Sequence, residues 1–198
     1  MTRLDSVLAD LAVRIRGMSI RGQAALFWAC SEALVDAFLE WADRTGSDTA
    51  QVLRSGQLAT YGFVTLGVES TDAIELLSEF EEKAPFGESI DMIPSTTAQD
   101  CWICADVGIR VWVSESYDPG PAIEFALEPI LGTVTEELFG FTQVGSGPSE
   151  EMQIEAVLQD ERIVRVLDFM NWATNRLGVE PDDEALAELR ERGRVLLP

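Results

Sequence analysis

Near the amino end of the chain, Leu4, Val7, Leu8, Leu11 and Ile15 recur at the i, i+3, i+4, i+7 spacing of one helix face. Gly17 stops that pattern, and Ser19 is placed to cap a second, longer helix that runs to Gly46. Its residues are apolar nearly all round from Ala24 to Ala37, which predicts a helix at the centre of a bundle. A third helix opens at Ser47 or Asp48, weakened by Gly56 and Gly62. The stretch STDAIELLSEFEEKAP predicts a fourth, with Ile74, Leu77 and Phe80 on its apolar face and Pro85 as its stop. Residues 85–94 read as a loop between prolines.

Ser95 then opens a fifth helix that continues to SYDPGP. AIEFALEPILGTVTEELFGF predicts a sixth, kinked near Pro129 and Gly132. Ser149 caps a further helical stretch that breaks near 159–161 and ends at Gly178. PDDEALAELRERG closes the chain, with acids in its first turn and arginines in its last, as the helix dipole favours. No stretch alternates as a strand pair would, and no repeat of fixed period occurs. The pattern predicts an all-α protein, a compact multi-helix bundle of about seven to nine helices. Residues 1–178 are expected to form the helical domain, with 179–198 a short helix and tail packed on it.

Composition narrows the chemistry. The 198 residues contain no histidine and a single lysine, Lys83. Histidine-based nucleophilic triads and imidazole metal sites are therefore excluded, and no glycine-rich phosphate loop is present. No apolar run reaches the ~18 residues of a membrane span. Asp5 and Asp10 interrupt the apolar periodicity that a signal peptide would need, and three cysteines are an odd number for a disulfide framework. A cytoplasmic protein is expected.

The two cysteines of DCWIC, Cys101 and Cys104, pose the sharpest chemical question. A redox CxxC opens a helix after a strand, whereas this one lies within a predicted helix. Cys101, Cys104, Ala105, Gly108, Val111 and Trp112 follow an apolar stripe, and only Cys30 remains as a further thiol ligand. The reading is core packing rather than redox or metal chemistry. No catalytic residue, metal or cofactor is assigned.

The net charge is −21 and is concentrated. Between Ser55 and Glu161, two basic residues stand against 21 acidic ones, a balance of −19. Such a field repels nucleic acid and anionic membranes and attracts basic partners. Solubility alone is the plainer explanation. Two acids interrupt apolar helices: Glu32, in FWACSEALVDAF, and Asp100, before the CWIC stripe. A carboxylate near a core needs a partner or water, and Arg110 or Arg21 are the expected ion-pair partners. Asp106, Glu79 and Glu82 complete the candidate binding residues, although the charged run EFEEK also reads as a solvated face. Trp28, Trp41, Trp102, Trp112 and Trp172 are expected in the core, with one or two facing a partner.

Three stretches carry a resemblance to a known family. AALFWACSEALVDAFLEWADRTG, TTAQDCWICADVGIRVWV and AVLQDERIVRVLDFMNW are similar, in order and spacing, to the early, central and late helices of the YjaG-like family of small all-helical bacterial proteins. Ala33 stands where that family leads us to expect arginine. The resemblance implies an all-α fold, brings no catalytic residues, and matches Glu32 and Asp100 to acidic positions. The functional expectation is a non-enzymatic protein presenting residues 69–161 to a basic protein partner. One version is an immunity protein against a cationic toxin. The alternatives are a small-molecule binder or enzyme with Glu32 and Asp100 in a helical cleft, or a homodimer rather than a monomer.

Overall fold

The computed structural model describes residues 2–67, 73–85, 96–114, 116–140, 149–178 and 180–196. Among them are nine α-helices and no strand, an all-α bundle. They are α1 (Arg3–Arg16), α2 (Ile20–Thr45), α3 (Thr49–Leu66), α4 (Ala73–Glu82) and α5 (Thr96–Val113). The second half of the chain supplies α6 (Ile123–Phe139), α7 (Glu150–Gln159), α8 (Glu161–Arg176) and α9 (Asp183–Arg192). Short 3₁₀ turns occupy 120–122 and 193–196. Among the described residues, no helix is long and apolar enough to cross a membrane.

Local chemistry sets most of the boundaries. Thr2 and Asp5 form a reciprocal capping box at the start of α1, with bonds of 3.1 and 2.7 Å. Ser19 accepts from the Gly22 amide at the start of α2, and Gly46 ends that helix in the left-handed region at φ 67°. Asp160 separates α7 from α8 with extended backbone at ψ 135° while accepting from the Arg162 amide at 2.9 Å. The helix α6 runs through Pro129 as one element. Asp48, an expected cap for α3, makes no side-chain cap bond and pairs instead with Lys83 at 2.8 Å. The expected opening of α4, Ser95 ahead of α5 and most of the 85–94 loop lie outside the described residues.

The centre of the bundle is the antiparallel pair α2 and α5. Small residues line their contact: Ala24, Ala25, Ala29 and Cys30 on one side, Ala98, Cys101, Cys104, Ala105 and Gly108 on the other. A Cβ on Gly108 would lie 3.7 Å from the Trp28 backbone nitrogen, which shows how closely the helices approach. One core gathers around the amino-terminal half of α2 and includes Ile15, Phe27, Ile123, Ile130, Phe169 and Met170. Leu186, Leu189 and Leu196 from the end of the chain belong to that same cluster. A second core gathers around the carboxyl-terminal half of α2, with Phe38, Trp41, Leu53, Phe80 and Trp102. Trp102 packs against Phe80 at 4.4 Å and Phe38 at 5.5 Å between ring centres. Of the five tryptophans, Trp28, Trp41 and Trp102 are buried, whereas Trp112 and Trp172 are half-buried.

The two glycines inside α3 differ in purpose. A Cβ on Gly56 would stand 2.5 Å from the Phe80 ring and 2.9 Å from Ile109, so this glycine is the notch that seats α4 and α5. A Cβ on Gly62 would meet nothing within 4 Å. Gly56→Ala is therefore expected to destabilise the protein by about 1–3 kcal/mol through overpacking. Gly62→Ala should stabilise it by about 0.5–1 kcal/mol through helix propensity. Urea unfolding of the two variants checks both signs.

Candidate functional site

The five acids singled out in the sequence occupy separate places. Glu79 and Glu82 are exposed on the outer face of α4. Asp106 accepts from Arg110 Nε at 2.6 Å, and the same guanidinium reaches Glu81 at 2.9 Å. That network straps α4 to α5 and holds the Arg110 guanidinium above its ordinary value. Glu32 and Asp100 lie on the central pair but do not share a cleft.

Glu32 does find arginine partners, although neither expected one. It lies 3.4 Å from Arg54 of α3 and 3.6 Å from Arg190 of α9. Arg21 instead donates to the carbonyl oxygen of Val64 at 2.5 Å and to Glu180 at 3.3 Å, capping the carboxyl end of α3. Trp28, Leu58, Tyr61 and Gln57 complete a cleft of about 530 Å³ around Glu32. From Arg54 a polar line runs inward. Its Nη1 donates to Gln57 Oε1 at 3.1 Å, and Gln57 Nε2 donates to the Ser31 hydroxyl at 2.9 Å. Cys101 Sγ lies 3.7 Å from the Ser31 hydroxyl and donates to the Ser31 carbonyl oxygen at 3.3 Å.

The expected ion pair of Asp100 with arginine is corrected by the structure. Asp100 is only 3% exposed, and among the described residues its Oδ2 has no hydrogen-bond partner. Burial pushes its carboxyl up to about 7, and the neighbouring Glu128 of α6 adds to the shift. The reason is positional: Arg110 lies more than two helical turns along α5, already engaged by Asp106 and Glu81.

All three cysteines are buried and free, in the packed core. Burial raises the Cys30 and Cys101 thiols to about 12, and Cys104 is also raised. Asp100 contributes to the shift of Cys101 and Cys104. Thiols held protonated this firmly are poor nucleophiles.

A larger groove opens between α6 and α7, flanked by Leu4 of α1 and by Thr96 and Thr97 at the start of α5. It measures about 740 Å³ and is mostly apolar, with Pro129, Leu131, Ile154, Val157 and Leu158 along its walls. Gly132 leaves its middle open, since a Cβ there would meet nothing within 4 Å. Glu128 and Glu136 on α6 and Glu150 on α7 also line it. Among the described residues, no arginine or lysine pairs with these three carboxylates. Arg3 of α1 is held by Glu155 at 2.5 Å, and Arg162 of α8 by Glu137 at 2.6 Å. Partial burial, followed by repulsion from Glu124, raises the Glu128 carboxyl. The sequence carries one signal for this groove. Glu128, Gly132 and Glu136 recur every four residues, so they share one face of α6.

Comparison with family models, curated proteins and solved structures finds no match to this chain.

Two outcomes follow from this geometry. A carboxyl with a raised folded-state value binds more protons when folded than when unfolded between pH 4 and 7. Asp100 therefore favours folding at low pH and costs stability as pH rises through that window. Asp100→Asn should gain roughly 2–4 kcal/mol over the parent at pH 8 and little at pH 4. Urea unfolding at the two pH values reads that difference. The native protein should also leave its three thiols unreacted with Ellman's reagent, and release all three on denaturation.

Proposed function

We propose that this protein is a non-enzymatic interaction module, and that the groove between α6 and α7 takes a basic, amphipathic segment of a partner protein. The observation that supports this reading is an apolar trough lined by Glu128, Glu136 and Glu150, with no paired cation on those acids among the described residues. Apolar side chains of such a segment would fill the trough, and its lysines or arginines would reach the acids. The groove lies within the stretch of −19 net charge, which would accelerate encounter with a cationic protein. An immunity protein that neutralises a cationic toxin is one form of this proposal, in a cytoplasmic setting. Kinship with YjaG-like proteins belongs to the same proposal and rests on the three similar stretches.

The test separates the groove from the general charge of the molecule. A synthetic amphipathic helix of leucine and lysine serves as probe. Replacing Glu128, Glu136 and Glu150 together by glutamine should weaken its binding about tenfold or more, equivalent to ~1.4 kcal/mol. Replacing Asp36, Glu40 and Asp43 on α2 by their amides removes the same charge elsewhere and should change binding much less. Gly132→Leu fills the trough without altering charge and should also weaken binding, while added salt weakens the parent complex. Equal losses for both triple variants, with Gly132→Leu unchanged, would reject the groove as the docking site.

A further inference from the structure

The cleft at Glu32 runs counter to the net charge of the chain. In a chain of net charge −21 it brings Arg54 and Arg190 together around one carboxylate, for a local charge of +1. Those arginines come from α3 and α9, far apart in sequence, so the tertiary fold assembles the pair. Their contacts with Glu32, at 3.4 and 3.6 Å, are long beside the 2.5 to 3.0 Å of the shorter ion pairs in this protein. Charge-assisted bonds of this kind are strongest near 2.7–2.9 Å. Each guanidinium carries five N–H donors. Glu32 and Gln57 engage Nη1 of Arg54, and Glu32 engages Nη2 of Arg190. The pair therefore retains donor capacity for a further acceptor.

The other wall is aromatic. Trp28 and Tyr61 pack at 5.1 Å between ring centres, and Leu58 stands beside them 70% exposed. Tyr61 is itself 43% exposed, so the wall presents ring surface to the cleft mouth. Buried behind it, Gln57 bonds both Arg54 and Ser31 and fixes the inner edge of the site. Trp28 is only 6% exposed and its ring is tilted 39° from that of Tyr61, so Tyr61 and Leu58 supply most of the accessible apolar surface. That surface on one side and two forked donors on the other recognise a ring-bearing molecule with an anionic end. A local charge of +1 balances a monoanion. A dianionic phosphate would place two charges beside Glu32 and overcompensate.

We infer that the cleft formed by Trp28, Glu32, Arg54, Tyr61 and Arg190 binds a small aromatic monocarboxylate, its ring on Trp28 and Tyr61 and its carboxylate on the two arginines. The volume of about 530 Å³ accommodates a molecule of one or two fused rings. This site is separate from the α6–α7 groove and is independent of the function proposed for it.

The test uses the full chain and 2-naphthoate as probe, with binding read by titration calorimetry and by the indole N–H signal of Trp28 in NMR spectra. The expected result is saturable binding of one 2-naphthoate per chain, with the Trp28 signal shifting along the same isotherm. The neutral amide, 2-naphthamide, should bind at least about tenfold more weakly because it lacks the charge that the arginines recognise. Arg190→Gln and Tyr61→Ala, both at exposed positions, should each weaken 2-naphthoate binding while leaving the unfolding midpoint near that of the parent. Inorganic phosphate should fail to displace it at equal concentration. The inference is overturned if 2-naphthoate gives no saturable binding, or if amide and acid bind alike. It is equally overturned if phosphate displaces the probe at equal concentration, or if both variants bind like the parent. Loss of the groove's peptide binding would leave these outcomes unchanged, so the two proposals fail separately.

Discussion

Close approach between α2 and α5 is the constraint around which the molecule is arranged. Alanine, cysteine and glycine line the contact, and Gly108 lies against the backbone of Trp28. Small side chains bring dispersion contacts between the helices to short range and leave the large residues to pack outward. Phe27, Phe38 and Trp102 can then anchor the outer helices to a rigid central pair. The cysteines are part of this economy of space: a thiol occupies little more volume than an alanine methyl group and tolerates burial. Their raised values are a consequence of that burial rather than a sign of reactivity.

The central pair also determines how carboxylates behave. Glu32 and Asp100 both interrupt apolar helices, yet their surroundings differ. Glu32 points to where α3 and α9 converge, and two arginines meet it there. Asp100 feels the charge of Glu128 of α6 and gains no cation among the described residues. One acid is therefore part of an electropositive cleft, while the other is an energetic liability at neutral pH. Burial without a partner costs several times more than a surface ion pair returns. The exposed pairs between Arg16 and Asp118, or Arg176 and Asp182, make shorter contacts but gain little for stability.

Charge is distributed on two scales. The overall field is strongly negative, and the α6–α7 groove concentrates it next to apolar surface. The Glu32 cleft reverses it locally, within reach of short-range hydrogen bonds. A long-range field steers a large cationic partner, whereas selection of a small anion depends on the donors it touches. Both can operate in one molecule because a Debye length of ~8 Å at physiological salt separates the two regimes.

Helix number and most helix boundaries were legible in the sequence, because they depend on chemistry within a few residues. Ser19 and Gly46, both marked in the sequence, cap and end α2 through a bond to backbone three residues away and a left-handed φ. Asp160, at the break expected near 159–161, and Asp182, among the acids expected in the first turn of the last helix, act as N-caps over the same short range. The central burial of α2 was legible too, since a helix apolar on nearly all sides has few alternatives. The burial of Cys101 and Cys104 followed from their place on the α5 stripe. The partners of Glu32 and Asp100 were not legible. Arg54 and Arg190 lie 22 and 158 residues from Glu32, and nothing in local periodicity relates them. The same holds for the groove, whose walls come from α1, α5, α6 and α7. Local sequence determines where a helix starts, stops and turns its apolar face. Which charge meets which depends on how those faces pack, and only the tertiary structure decides that.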